Sequence, residues 1–334
     1  MMETLKAAVV GVGAMGVNHC RIYSEIPNIE LVGVCDLDRG LAEKIAGKYG
    51  CRAYVDHRRL LAEEKPDLVT VAVPTQYHCE VALSCIGAGA AVLVEKPIAD
   101  TVEKAEEMIR AAEAAGVELM VGHIERFNPA VQELKRRLDG KQIGRIFTIN
   151  AVRVGPFPHR VRDVGVVIDL AVHDIDVMMY VTESDVERIF AETEKRIHTS
   201  CEDMLSGILR FRNGVVGVLD VNWLTPEKIR ELTVTGEKGM FKVKYIPQEL
   251  TFYENRQANG KSYEYRDILM GVSEGDVTQI RIQKKEPLKN ELEAFVDSVR
   301  RGLKPQVTGL DGLKSLYVAS AMIESATAGQ AVVL

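Results

Sequence analysis

Residues 6–16 read KAAVVGVGAMG, in which a short apolar run passes directly into glycines spaced as G-x-G-x-x-G. The apolar run predicts a buried strand, and the residues from 15 onward predict a helix. A turn of this kind suits the pyrophosphate of a dinucleotide, because the glycines let it approach backbone N–H groups at the helix start. The predicted contacts are Gly11, Gly13, Ala14, Met15 and Gly16.

Asp36 stands at the end of a second apolar run, IELVGVCD, at the distance from the glycines that a ribose-binding carboxylate requires. Its carboxylate can accept hydrogen bonds from both hydroxyls of an adenosine ribose and would repel a 2′-phosphate. The sequence therefore predicts NAD as the cofactor, in preference to NADP. Arg39, three residues further on, is expected to soften that preference.

The order of elements changes near residue 122. Before it, Val- and Ile-rich runs alternate with amphipathic helices, which predicts a doubly wound parallel sheet of Rossmann type over residues 1–122. After it, strands follow one another with short turns such as Arg212-Asn213-Gly214, expected to be a type I′ hairpin. Residues 123–334 are therefore predicted to form an α+β domain on a mostly antiparallel sheet. The helices expected near 288–302 and 310–327 belong to this domain or pack back on the first.

The composition excludes several classes of protein. A formal charge of −6 argues against a nucleic-acid or anionic-membrane binder. The six cysteines show no spacing typical of a metal site, so no metal is predicted and the thiols are expected to be reduced. Neither a signal peptide nor a membrane span is recognisable, so a cytoplasmic location is expected.

Two further strand ends carry polar residues. Pro74-Thr75-Gln76-Tyr77-His78 lies at the end of the predicted strand LVTVAVP, and Thr75 and His78 are predicted cofactor contacts, although Thr75 also suits a helix N-cap. Glu95-Lys96-Pro97 lies at the end of the predicted strand AAVLVEK. A lysine there is either solvated or placed to polarise a hydroxyl or ketone oxygen.

The segment 166–180, VVIDLAVHDIDVMMY, is almost entirely apolar, yet it contains Asp169, His173 and Asp176. At about 100° per residue these three fall on one face of a helix. Burying such groups is costly unless they are paired or lead into a cleft. The pair Asp169–His173 is therefore a candidate for acid–base chemistry, with a satisfied buried pair as the alternative.

Together, G-x-G-x-x-G, the strand-ending Asp, P-T-x-x-H, E-K-P and D-x-x-x-H-D-I-D resemble the Gfo/Idh/MocA family of oxidoreductases along essentially the whole chain. The resemblance implies a catalytic set of Lys96, Asp169 and His173, with Glu95 and Lys96 also beside the cofactor. It implies that Arg126 and Asn128 lie next to the substrate. It further implies a homodimer or homotetramer formed through the sheet of the second domain.

The segments VRVGPFPHRVRDVGVVIDLAVHDIDVM and NWLTPEKIRELTVTGEKG resemble the branch of that family that oxidises UDP-N-acetylglucosamine at its 3-hydroxyl. Arg153, Arg160 and Arg162 are then expected to bind the diphosphate, and a solvated basic loop is the alternative. Two other functions stay open. A dehydrogenase of a free polyol such as inositol would give no reason for the arginines, and a silent NAD-binding sensor would not need a proton acceptor.

Overall fold

The computed structural model describes residues 4–158, 164–197, 201–255 and 275–334. The chain forms two compact units. The first comprises the residues up to Phe127 together with Glu286–Tyr317, and the second comprises Asn128–Lys285 and Val318–Leu334. The sequence predicts that the first domain ends near residue 122, but the first unit also includes the later segment Glu286–Tyr317. The last helix of the chain, Gly309–Ala328, is divided between the two units.

The first unit contains a parallel sheet of six strands in the order β3-β2-β1-β4-β5-β6. This order confirms the predicted doubly wound sheet. The strands are β1 (Leu5–Val10), β2 (Ile29–Cys35), β3 (Arg52–Tyr54), β4 (Leu68–Val71), β5 (Ala91–Glu95) and β6 (Leu119–Gly122). The helices that connect them are α1 (Gly16–Glu25), α2 (Arg39–Tyr49), α3 (His57–Glu64), α4 (His78–Gly87) and α5 (Val102–Ala115).

The helix ends follow from local sequence. Asp38 and Thr101 each accept a backbone N–H at the start of α2 and α5. Gly50 and Gly116 end the same helices at φ angles of +71° and +65°, where a side chain would be strained. Because the strands are buried on both faces, β1 and β4 consist almost wholly of apolar residues.

The second unit contains a mostly antiparallel sheet of nine strands in the order β14-β13-β12-β11-β7-β10-β9-β8-β15, in which β7 and β10 are parallel. Its strands are β7 (Ile146–Pro156), β8 (Val186–Glu194), β9 (Met204–Phe211), β10 (Val216–Asn222), β11 (Leu224–Gly236), β12 (Gly239–Lys244), β13 (Glu249–Glu254), β14 (Val277–Ile280) and β15 (Val332–Val333). The later helices of the chain are α6 (Pro129–Asp139), α7 (Val172–Thr182), α8 (Pro287–Arg301) and α9 (Gly309–Ala328). The predicted α+β class is confirmed.

The two faces of this sheet differ in character. On the inner face the cross-strand row through Ala151, Leu219 and Leu232 is fully buried in the core that includes α6 and α7. The outer face carries polar side chains and an apolar cluster of Phe190, Ile208 and Val218.

The hairpin between β9 and β10 forms where the sequence predicts it, but its turn is of another type. Gly214 has a φ of +89°, whereas Asn213 has no positive φ and instead accepts the Val215 N–H on its side chain. A type I′ turn needs positive φ at both central residues, so that prediction is wrong.

Candidate active site

The glycine-rich turn of the first unit is shaped by contacts that leave no room for side chains at two of its positions. A Cβ on Gly11, whose φ is +87°, would lie 2.6 Å from the backbone of Ala72, and a Cβ on Gly16 would lie 1.8 Å from the Gly11 oxygen. No atom lies within 4 Å of a Cβ built on Gly13. This open approach at the start of α1, which also leaves Ala14 and Met15 exposed, fits a pyrophosphate.

Asp36 follows β2 and is tied to this turn. Its Oδ2 accepts the Val12 N–H at 2.9 Å and its Oδ1 accepts the Asp38 N–H at 3.0 Å. A carboxylate offers about four acceptor positions, so two remain for ribose hydroxyls. Arg39 is largely exposed, 3.9 Å from Glu43, and borders a cavity of about 330 Å³ together with Arg52 and Arg59.

His78, predicted to contact the cofactor, is instead buried inside the first unit. Its ring is 1% exposed, and its two nitrogens lie 2.9 Å from the carbonyl oxygens of Pro97 and Val73. Burial lowers the pKa of this imidazole. Both nitrogens therefore face carbonyl oxygens of the protein itself, and the neutral ring donates its single N–H to one of the two. Thr75, which begins a short 3₁₀ turn, stays half-buried near the same edge.

Glu95 and Lys96 follow β5 at the carboxyl edge of the sheet, and both are half-buried. The fully buried His19 of α1 donates from Nε2 to Glu95 Oε1 at 2.8 Å. Burial is the largest single influence and by itself would raise the pKa of Glu95. The hydrogen bond and charge of His19, together with the charges of Lys96 and His78, outweigh burial in sum, and the pKa is lowered. His19 was missed from the sequence, where a histidine inside a helix gives no sign of a partner so far along the chain.

In the second unit, α7 is preceded by a π-helical turn, Val167–Ala171. Asp169 lies in that turn and His173 in the first turn of α7, and both are half-buried. Asp174 and Asp176 are fully buried. Asp169 and His173 thus form a partly accessible pair, whereas Asp174 and Asp176 belong to the core.

Arg153 belongs to that core. Its Nε donates to Asp174 Oδ2 at 2.6 Å, its Nη2 donates to Asp174 Oδ1 at 3.1 Å, and its guanidinium lies 5.2 Å from the centre of the Tyr245 ring. Only 1% of the arginine is exposed. Burial in a two-point ion pair argues against the predicted contact with a diphosphate. Arg160 and Arg162, predicted for the same role, lie outside the described residues.

Arg126 and Asn128, expected beside the substrate, also have partners within the protein. Arg126 is 8% exposed and donates to Asp311 Oδ1 at 3.1 Å. Asn128 is the N-cap of α6, where its Oδ1 accepts the Ala130 N–H. Its Nδ2 donates to the backbone carbonyl oxygen of Tyr245. Asn128 is thus a structural cap, which argues against the predicted substrate contact.

Two further properties concern the described part of the chain. None of its helices is long and apolar enough to cross a membrane. Within the same residues, no group of three or more His, Cys, Asp or Glu side chains is arranged to hold a metal ion.

Two family models match the chain. Residues 5–123 match the family model described as "Oxidoreductase family, NAD-binding Rossmann fold", and residues 131–242 match the GFO/IDH/MocA C-terminal domain. The chain belongs to the Gfo/Idh/MocA family, and its first unit is an NAD-binding Rossmann domain. The open glycine turn and Asp36 fit that cofactor.

Among its relatives, the UDP-N-acetylglucosamine 3-dehydrogenase of Acidithiobacillus ferrooxidans is 27% identical over 95% of this chain and 96% of its own. A solved structure of that enzyme aligns with a TM-score of 0.85 over 98% of this chain and 99% of its own, at 26% identity. Inositol 2-dehydrogenase 2 of Saccharopolyspora erythraea is 29% identical over 98% of this chain and 94% of its own. The relatives thus act on sugars and polyols of different kinds.

Proposed function

We propose that this oxidoreductase converts a secondary hydroxyl of a nucleotide sugar to a ketone, and that its substrate is UDP-N-acetylglucosamine, oxidised at C3. The observation that carries the proposal is the partly accessible pair Asp169–His173 at the start of a helix whose own aspartates, Asp174 and Asp176, are fully buried. An accessible carboxylate and imidazole four residues apart are suited to exchange a proton with a substrate hydroxyl.

The roles of the side chains follow from their chemistry. NAD, when bound, accepts the hydride that leaves the carbon. Lys96 stabilises the developing negative charge on the hydroxyl oxygen, and His173 takes its proton. Asp169 orients the imidazole or the substrate hydroxyl. In the first unit, Glu95, Lys96 and Thr75 at the strand ends are assigned to NAD.

Two features support a substrate that carries a diphosphate. The chain is similar over nearly its full length to a UDP-N-acetylglucosamine 3-dehydrogenase. Its sequence also places Arg160 and Arg162 a few residues before the helix that bears Asp169. Guanidinium groups bind phosphate oxygens through charge-assisted, two-point hydrogen bonds, so these two arginines are assigned to the diphosphate.

The second candidate is oxidation of a free polyol. The similarity to an inositol 2-dehydrogenase at 29% identity favours it. Arg153, one of the three arginines predicted to bind a diphosphate, is buried in the core and paired with Asp174. This leaves fewer candidate ligands for a diphosphate and so also favours the polyol.

A ligand screen separates the two candidates. The protein is incubated with NAD and, in separate samples, UDP-N-acetylglucosamine, UDP-glucose, myo-inositol or glucose, and its melting temperature and NADH formation are followed. A ligand that binds only the folded state raises the melting temperature by mass action. We expect UDP-N-acetylglucosamine to give both signals. Efficient turnover of myo-inositol with none of the UDP-sugar would replace the first candidate by the second.

We further propose that two copies of the chain associate through the outer face of the nine-stranded sheet. Phe190, Ile208 and Val218 lie side by side on adjacent strands and are 40%, 51% and 39% exposed. Contiguous exposed apolar side chains of this kind are typical of association surfaces. The expected molar mass by light scattering is that of a dimer or tetramer, and Ile208→Glu should lower it, whereas Ile246→Glu, at an exposed isoleucine in the turn between β12 and β13, should not.

A further inference from the structure

The helix that carries Asp169 and His173 begins with a π-helical turn. The Val172 N–H donates to the Val167 oxygen, five residues back, whereas the Asp169 N–H donates to the Gly165 oxygen, four residues back. Asp169 therefore lies inside the wider turn and His173 just beyond it. Such turns are rare, usually single, and frequent at functional sites, so something must favour this one over a regular α-helical start.

Glu202 holds the start of this turn at two points. Its backbone oxygen accepts the Val166 N–H at 2.9 Å, and its Oε1 accepts the Val167 N–H at 3.3 Å. The first N–H groups of a helix have no acceptor within the helix. A carboxylate at this end also interacts favourably with the helix dipole. One residue from a distant part of the sequence thus satisfies two of these donors.

Gly165 provides the space for the carboxylate. A Cβ built at this position would lie 1.9 Å from Glu202 Oε1 and 2.0 Å from its Cδ. Any other residue at 165 would have to displace the carboxylate from the helix start. The absence of a side chain at Gly165 is therefore what allows the carboxylate to reach the helix start.

Glu202 is itself held in place by its neighbour. Asp203 is fully buried, and its carboxylate accepts the backbone N–H groups of Arg196 and Ile197. The backbone N–H of Asp203 donates to the backbone oxygen of Glu194 at 2.9 Å. The backbone oxygen of Asp203 accepts the backbone N–H of Trp223, also at 2.9 Å. The backbone next to Glu202 is therefore joined to Glu194 at the end of β8 and to Trp223, and these contacts fix the point from which Glu202 extends its carboxylate.

We infer that Glu202 is a positioning residue, which acts by keeping Asp169 in the π turn and so on the correct side of His173. An α-helix turns by about 100° per residue. Converting the π turn to an α turn would therefore rotate Asp169 and the residues before it relative to His173. The inference rests on the proposed roles of Asp169 and His173, and Glu202 itself need not touch substrate or cofactor.

The test compares Glu202→Ala, Glu202→Gln and Gly165→Ala with wild type. Glu187→Ala, at an exposed glutamate of the same unit, is the matched control. Amide hydrogen exchange is followed separately for residues 166–171 and 172–182. With the sugar that wild type oxidises, kcat, KM and the Kd for NAD are measured. Glutamine keeps an oxygen that can accept the Val167 N–H, so it should rescue the function, whereas alanine cannot.

In Glu202→Ala and Gly165→Ala, exchange at 166–171 should accelerate by about five- to thirtyfold, the factor for losing a helix cap. Their kcat should fall by about tenfold or more, because misplacing a group by about 1 Å can cost a hundredfold in rate. The Kd for NAD should be unchanged, and Glu202→Gln and the control should resemble wild type.

Unaltered exchange at 166–171 in Glu202→Ala would overturn the inference, and so would a Glu202→Gln enzyme as slow as the alanine variant. The proposed function fails in a different way, through a His173→Ala variant that retains full turnover. If wild type oxidises none of the sugars, the exchange measurement still decides the role of Glu202.

Discussion

Removing one partner of the buried pair Arg153–Asp174 should strongly destabilise the second unit. Both side chains are 1% exposed, and the contact of Nε with Oδ2 is 2.6 Å long. Loss of one partner leaves a buried charge without compensation, which costs about 3–5 kcal/mol. With a urea m-value of about 1–3 kcal/mol/M, Asp174→Ala should lower the denaturation midpoint by about 1–5 M.

The chain offers both a specific probe and a matched control for this measurement. Its single tryptophan, Trp223, is buried in the second unit and stacks edge-on against Phe157, so its fluorescence reports unfolding there. The pair Lys242–Glu231 has the same 2.6 Å separation, but its side chains are 33% and 26% exposed. Because partly exposed pairs contribute about 0–1 kcal/mol, Glu231→Ala should shift the midpoint only slightly.

A double substitution tests the same physics from the other side. Replacing both partners by apolar residues of similar volume, Arg153→Met with Asp174→Leu, should recover most of the lost stability, because no unpaired charge remains. If Arg153 instead bound a substrate diphosphate, Arg153→Met would raise KM for the UDP-sugar and leave the urea midpoint almost unchanged. That result would refute the structural role given to the pair.

Three further perturbations are predicted. Asp36→Ala should weaken NAD binding and narrow the preference over NADP, as measured by fluorescence titration, and a wild type that binds NADP better would contradict this role. Lys96→Met and His173→Ala should each reduce turnover by about 10²–10⁴-fold with a much smaller effect on NAD affinity, and near-normal rates in both would refute their assignment. Because burial lowers the pKa of His78 below its ordinary value of 6.5, the unfolded chain binds the extra proton first. Stability should therefore fall as pH drops below about 6.5, by up to about 1.4 kcal/mol per pH unit, and this part of the slope should be missing in His78→Asn; equal slopes would contradict it.

The pattern of apolar residues predicts the first unit well because each strand and helix leaves a local signal. Strand β8 (VERIFAETE) was not foreseen, since charged residues occupy its exposed positions and interrupt the apolar alternation. The short strand β3 and the charged helix α3 were missed for the same reason. Caps and glycines, by contrast, predict most helix boundaries.

The site was harder to predict because the partners of its charged residues lie far away in the sequence. Arg153 did carry a local signal: period-two alternation places it on the same face of β7 as Ile149 and Ala151, which are core residues. The basic residues that follow it suggested a ligand instead. For Asn128, the following proline already fits an N-cap, with Pro129 at the first helical position.

The Arg153–Asp174 ion pair also influences the orientation of His173 on α7. Asp174 follows His173 directly, so the ion pair that anchors Asp174 to β7 also fixes the rotation of α7 about its axis. Any rotation that moved His173 away from its present direction would separate the carboxylate from the guanidinium and leave both charges buried. Because that separation costs several kcal/mol, the pair restricts His173 to one orientation. The apolar helix thus tolerates Asp174 because Arg153 neutralises its charge, and the same ion pair holds the neighbouring His173 in place.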